Sequence, residues 1–110
     1  MKIIDAHCHI FPDKIAYKAA HSIGDFYGVP MYSPASAIAL LESGAQIQTD
    51  LFMVSSAATT PDQVYAINDF ISGQCKFHDK FYGLAAMHYQ LPDIEDELDR
   101  AIELGLHGIK

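Results

Sequence analysis

"IDAHCHIF", residues 4–11, sets a polar trio between apolar ends. Ile4, Ile10 and Phe11 suit a buried strand; His7, Cys8 and His9 need another explanation. Side chains alternate along a strand, so His7 and His9 leave on one side and Cys8 on the other. The two histidine Cα atoms then lie about 6.6 Å apart. From there two imidazoles can reach one cation at roughly 2.0–2.1 Å each. Cys8, facing away, is then no ligand but a small packing residue under the outer helices. Asp5 shares the parity of the histidines one step deeper. Its carboxylate can accept a ring N–H, fix the tautomer and raise the ligand's basicity; touching the metal or pairing with a lysine are the alternatives. On spacing alone, two ordinary core or surface histidines remain an equal reading.

Around this stretch, residues 2–9 read as a strand and Pro12-Asp13 punctuates its exit. Residues 13–23, "DKIAYKAAHSI", predict a short helix capped by Asp13, with Ile15, Ala19 and Ala20 on one side. "GDFYGVPMYSP" (24–34) is rich in Gly, Pro and aromatics and reads as a long functional loop. Ser33-Pro34 predicts the next helix start, with Ile38, Leu41 and Ala45 at helical spacing. "DLFMVSSA" (50–57) reads as a strand buried on both faces. Thr60, Pro61 and Gln63 predict a capping box, followed by a helix with Val64, Ile67 and Ile71 inward. "FYGLAAMHY" (81–89) is a third strand. Pro92-Asp93 opens a helix with core face Ile94, Leu98 and Ile102, ended by Gly105. "LHGIK" (106–110) begins a fourth strand.

Strands alternating with helices imply parallel pairing through crossovers. Strand-to-strand spacing falls from about 45 residues to roughly 25–30, the usual size of a βαβ unit. The surplus lies in residues 10–34, directly after the histidine pair, where a substrate-gripping insertion belongs. The chain has 110 residues, half of them hydrophobic, and a formal net charge of −7. That suffices for one domain with a core. It also argues against binding of nucleic-acid phosphates or an anionic membrane surface. Two cysteines, Cys8 and Cys75, form no disulfide framework. No leader or spanning segment is apparent, so a reducing, cytoplasmic setting is expected.

"IDAHCHIF" resembles the first-strand His-x-His signature of the amidohydrolase superfamily, whose members are metal-dependent (β/α)8 barrels. "DELDRAIELGLHGIK" (96–110) resembles the third helix and fourth strand of the amidohydrolase-2 branch, which contains hydrolases and decarboxylases. The specific matches fall at residues 4–10 and 99–110. The resemblance implies an α/β fold of parallel (β/α) units: residues 1–110 as the N-terminal half of a TIM barrel, about four units ending in the fourth strand. It implies His7 and His9 as ligands of a divalent metal ion, zinc first, and Asp5 as support. Further ligands on the fifth and sixth strands, and a late aspartate, fall outside these residues. Lys110 sits where some relatives carry a metal-bridging lysine; in this branch that lysine is often not a ligand.

His88, near the end of the third strand, is the candidate substrate contact; a polar filler at the barrel mouth is its alternative. Ser55 and Ser56 lack a recognisable base. Phe26, Tyr27, Met31 and Tyr32 can line an apolar pocket or simply pack their loop. The acidic run 93–99 reads as a solvated helix face at a positive N-terminus. The expected function is a metal-dependent hydrolase using metal-activated water on the carbonyl of a small molecule. Alternatives are a non-oxidative decarboxylase, a nuclease resembling TatD-type deoxyribonucleases, and an inactive half-barrel. The nuclease reading suffers from "GLHGIK" where those enzymes carry a glutamate. A half-barrel exposes sheet edges and an apolar inner face, so the missing half or a homo-oligomer is the expected partner.

Overall fold

The computed structural model describes residues 1–110. Three parallel strands, β1 (Ile4–His9), β2 (Leu51–Ser55) and β3 (Phe81–Gly83), form one sheet in the order β1-β2-β3. The first crossover holds two helices, α1 (Asp13–Tyr27) and α2 (Ala37–Ala45). The second holds a short 3₁₀ turn, Pro61–Gln63, and α3 (Val64–Phe77); α4 (Ile94–Glu103) follows β3. The predicted fourth strand is present as a single parallel bridge between Ala85 and Ile109. Two backbone bonds support it: Ala85 N–H to the Gly108 carbonyl and Lys110 N–H to the Ala85 carbonyl, each 2.8 Å. The result is a mixed α/β arc, a partial barrel.

One face of the arc carries the core. Cys8, Ile10, Phe52, Val54 and Phe81 pack there with Ala37, Ile71, Ala101 and Leu106. Phe52 meets Phe81 edge to face, with ring centroids 6.0 Å apart, the geometry aromatic quadrupoles prefer. The Phe52 ring also lies against Gly44 of α2, where a Cβ would overlap it. The other face is covered less: Met53 and Tyr82 are half-buried and Ile4 is exposed, as is Ile109 at the open edge. Accessible surface totals 7187 Å², against about 6,000 Å² for a compact chain of this size. The excess is what an unclosed arc leaves uncovered.

Several helix details differ from expectation. Asp13 is the first helical residue of α1, not its cap; Pro12 precedes it and no side chain caps the turn. The helix runs four residues past its expected end, taking Gly24–Tyr27 out of the loop, and stops where Gly28 turns left-handed at φ 65°. Its buried residues are Ala16, Ala20 and Gly24, while Ile15 is exposed. Spacing of four with small residues lets α1 approach its neighbours closely, which the apolar stripe alone did not reveal. Ser36, not Ser33, caps α2: its Oγ accepts from the Ala39 N–H at 3.2 Å. Ala37 and Gly44 face inward there, and Ile38 faces solvent. Gln63 accepts from Thr59, through N–H (2.9 Å) and hydroxyl (3.1 Å), so the expected bond to Thr60 slips by one residue.

The third strand ends at Gly83, short of residue 89, for an identifiable reason. Beyond it, the Asn68 side chain replaces the ladder at Ala86. Its Oδ1 accepts the Ala86 N–H at 2.7 Å and its Nδ2 donates to the Ala86 carbonyl at 3.1 Å. Nδ2 also donates to Glu97 Oε1 at 2.8 Å. Glu97, read as solvated, is 1% exposed. It takes Arg100 Nε on Oε2 at 2.7 Å and Arg100 Nη2 on Oε1 at 2.9 Å. Arg100, the one arginine of the chain, also binds Asp69 and donates to the Tyr65 carbonyl at 3.2 Å. The α4 core face is therefore Glu97 and Ala101, with Ile94 and Ile102 outward.

Burial opposes the charge of Glu97, but hydrogen bonds from Arg100 and Asn68 outweigh it and hold the carboxyl below its ordinary 4.5. A depressed carboxylate stabilises fully above the unfolded-state value, and the contribution is lost as acid titrates it. Urea denaturation at pH 7 is therefore expected to show Asn68→Ala destabilised by about 2 kcal/mol or more, and Glu97→Gln by about 1–3 kcal/mol. Below pH ~4.5 the gap between wild type and Glu97→Gln should narrow. A gap that is constant with pH contradicts the ionised pair.

Candidate functional site

Burial of Cys8 (3% exposed) in β1 and of Ile10 (0%) just after it pins alternate residues of this stretch into the core. His7 and His9 therefore emerge on the opposite side, as strand alternation requires. Their Nε2 atoms lie 3.0 Å apart, with ring centroids 5.0 Å apart and planes tilted by 55°. Two N–H groups cannot point at each other across that gap, so at most one ring carries a proton on Nε2. His9 is shifted below its ordinary 6.5, first by burial, then by the charges of His7 and Lys110. A neutral imidazole is the form that ligates metal.

The donor set fits part of a cation site. Two nitrogens 3.0 Å apart can each sit about 2.0–2.1 Å from one shared ion. A catalytic zinc takes about three protein ligands, and no group of three His, Cys, Asp or Glu able to hold a metal occurs in this chain. His9 Nδ1 is buried without a hydrogen-bond partner, whereas a metal-bound imidazole ordinarily gives that nitrogen an acceptor. Asp5 does not fill that place. Its Oδ1 accepts the backbone N–H of His7 at 3.2 Å. The ladder is irregular here: three steps of β1 from Asp5 to Cys8 match two of β2, from Phe52 to Val54. Such a bulge re-aims side chains and interrupts the parity that would align Asp5 with the rings.

A cavity of about 840 Å³ opens beside the pair. His7 and His9 line it together with Phe11, Ile23, Phe26, Tyr27 and Met31; Ser22 and Thr59 add hydroxyls. The sequence had offered Phe26, Tyr27 and Met31, but not Phe11, Ile23 or Thr59, which arrive from the link after β1, from α1 and from the loop after β2. His88 lies apart from this cavity. It is half-buried, stacks on Tyr89 at 4.8 Å and takes the Gln90 N–H on Nδ1 at 3.2 Å. Both cysteines are free. Burial, then the neighbouring Asp5, pushes the Cys8 thiol up to about 12, and burial takes Cys75 to about 11. Burial thus keeps both in the thiol form, and neither is activated as a nucleophile.

This architecture is that of a partial α/β barrel with a histidine pair at the end of its first strand. No protein-family model matches the sequence, and no curated protein matches it. Among solved structures, the crystal structure of 2,6-dihydroxybenzoate decarboxylase complexed with 2,6-dihydroxybenzoate is similar in fold. The TM-score is 0.67 at 18% identity, over 99% of this chain and 39% of that one. The likeness establishes the fold, and the chain spans about two-fifths of that neighbour's length. No helix is long and apolar enough to cross a membrane.

Proposed function

We propose that this chain is the part of a metal-dependent, amidohydrolase-type enzyme that carries its first two metal ligands, His7 and His9. The carrying observation is the pair of Nε2 atoms 3.0 Å apart at the end of β1, opening on one cavity. A divalent ion bound there, zinc in the first instance, supplies a Lewis acid that polarises a carbonyl or carboxylate oxygen and acidifies water. Burial shifts His9 toward the neutral form, whose lone pair a metal takes. Lys110, whose charge reaches His9, favours an anionic group on a small-molecule substrate nearby. Apolar walls from Phe11, Ile23 and Met31 limit water around the reacting group.

Hydrolysis at a carbonyl is the first reaction in this reading, with the proton carrier supplied by the rest of the barrel. Non-oxidative decarboxylation is the second, and the fold of a solved decarboxylase favours it. An apolar cavity also suits loss of CO₂, because a carboxylate taken out of water is the less stable partner. The remaining ligands belong in this proposal to the other three-fifths of the barrel, in the same polypeptide or a second one. Uncovered Ile4 and Ile109 mark where it would pack.

Competition against a zinc indicator is expected to show that His7→Ala/His9→Ala binds zinc at least tenfold more weakly than wild type. Equal affinity contradicts the site. Sedimentation of the 110-residue chain by itself is expected to show self-association through the open arc. A sharply unfolding monomer overturns the need for a partner.

A further inference from the structure

The last turns of α1 and the chain that follows make a compact hook. Gly28, left-handed at φ 65°, reverses the direction. Val29 N–H then donates back to the Gly24 carbonyl at 3.0 Å, and Gly28 N–H to the Asp25 carbonyl at 3.4 Å. The returning strand of chain lies directly on Gly24. A Cβ at that position would stand 2.7 Å from the Val29 carbonyl oxygen and 2.9 Å from Met31 Cγ. Gly24 is buried, so Met31 is seated where only a glycine allows it.

Three side chains of this hook, Phe26, Tyr27 and Met31, line the same cavity as His7 and His9, with Ile23 one residue before the hook beside them. Phe26 and Tyr27 meet edge to face, 4.9 Å between centroids at 85°. Phe26 remains 81% exposed and Tyr27 70%. Rings that were only packing down a loop would be covered; these are held by each other and by the hook, and present apolar surface to the cavity. The same cavity is lined by the imidazoles of His7 and His9 and by the hydroxyls of Ser22 and Thr59. Recognition sites of this form combine apolar walls with a few placed polar groups that fix orientation.

We propose that the hook of residues 24–31 sets which ligands enter the His7/His9 cavity, with Met31, seated on Gly24, as the specificity-determining side chain for the apolar body of a small acid. Placement of the acid group at the histidines rests on the function proposed above; the apolar wall does not. Met31 fixes the depth available to the ligand body, and Gly24 acts through Met31 as a positioning residue.

The test uses the metal-free 110-residue chain with 2-naphthoate and acetate as probes, read from labelled methionine and isoleucine methyl signals. Naphthoate is expected to shift the Met31 and Ile23 methyls and to saturate; acetate should leave both in place. Met31→Ala and Gly24→Ala should each weaken naphthoate at least fivefold, with the zinc affinity of both variants within twofold of wild type. An unmoved Met31 methyl, or equal naphthoate affinity in Met31→Ala, overturns the proposal. Met31→Ala removes atoms without inserting any, so it decides the matter even if Gly24→Ala does not fold. Loss of zinc binding in wild type with the naphthoate dependence intact would sink the metal site and leave the hook standing. Zinc binding with no naphthoate dependence would do the reverse.

Discussion

Burial of Cys8 and Ile10 is the constraint on which the rest depends. Both belong to the cluster that joins the sheet to its helices. With those two positions fixed, the strand has no freedom to turn His7 or His9 toward the helices, and slipping by one residue would exchange every side chain. The core thus holds the rings in place. Apolar packing on the far side of the backbone puts both rings on one side, and there their Nε2 atoms meet at hydrogen-bond distance, 3.0 Å.

The order of strands and helices was legible in the sequence because buried strands such as 51–55 and amphipathic segments such as 64–77 carry different periods. His7 and His9 were legible for the same reason, since alternation needs only that one parity be buried. Asp5 departs from the pattern because the ladder carries an irregularity between Asp5 and Cys8, and no local residue signals a bulge there. Helix faces were read worst where the buried residue is small or polar. Ala16, Ala20 and Gly24 bury one side of α1 while the larger Ile15 stays out. In α4, Glu97 is inside because Asn68 and Arg100 meet it, partners 29 and three residues away. A solitary arginine three places after a glutamate, and an asparagine at a core position of α3, were the available signals.

That buried network bears on the site at a distance. Asn68 takes both backbone groups of Ala86 and so ends β3 early, fixing where the chain leaves the sheet at the mouth of the arc. Burying a charged pair is costly unless every polar atom is met, and here Glu97 has Asn68 and Arg100 on its two oxygens. The last turn of α1, Gly24–Tyr27, belongs to the helix and not to the loop expected there. The first crossover therefore contributes a wall as well as a connection, and the cavity beside His7 and His9 owes most of its apolar lining to it. A solved decarboxylase holds a similarly folded arc within a longer chain.

The most direct measurement is ¹⁵N NMR of the histidine rings during a zinc titration of the intact chain. The account predicts that the Nε2 signals of His7 and His9 move together, in proportion to a single bound ion, while those of His21, His78, His88 and His107 do not follow them. Movement of only one of the two rings, or of neither, would contradict the claim that the first strand delivers two ligands to one cation.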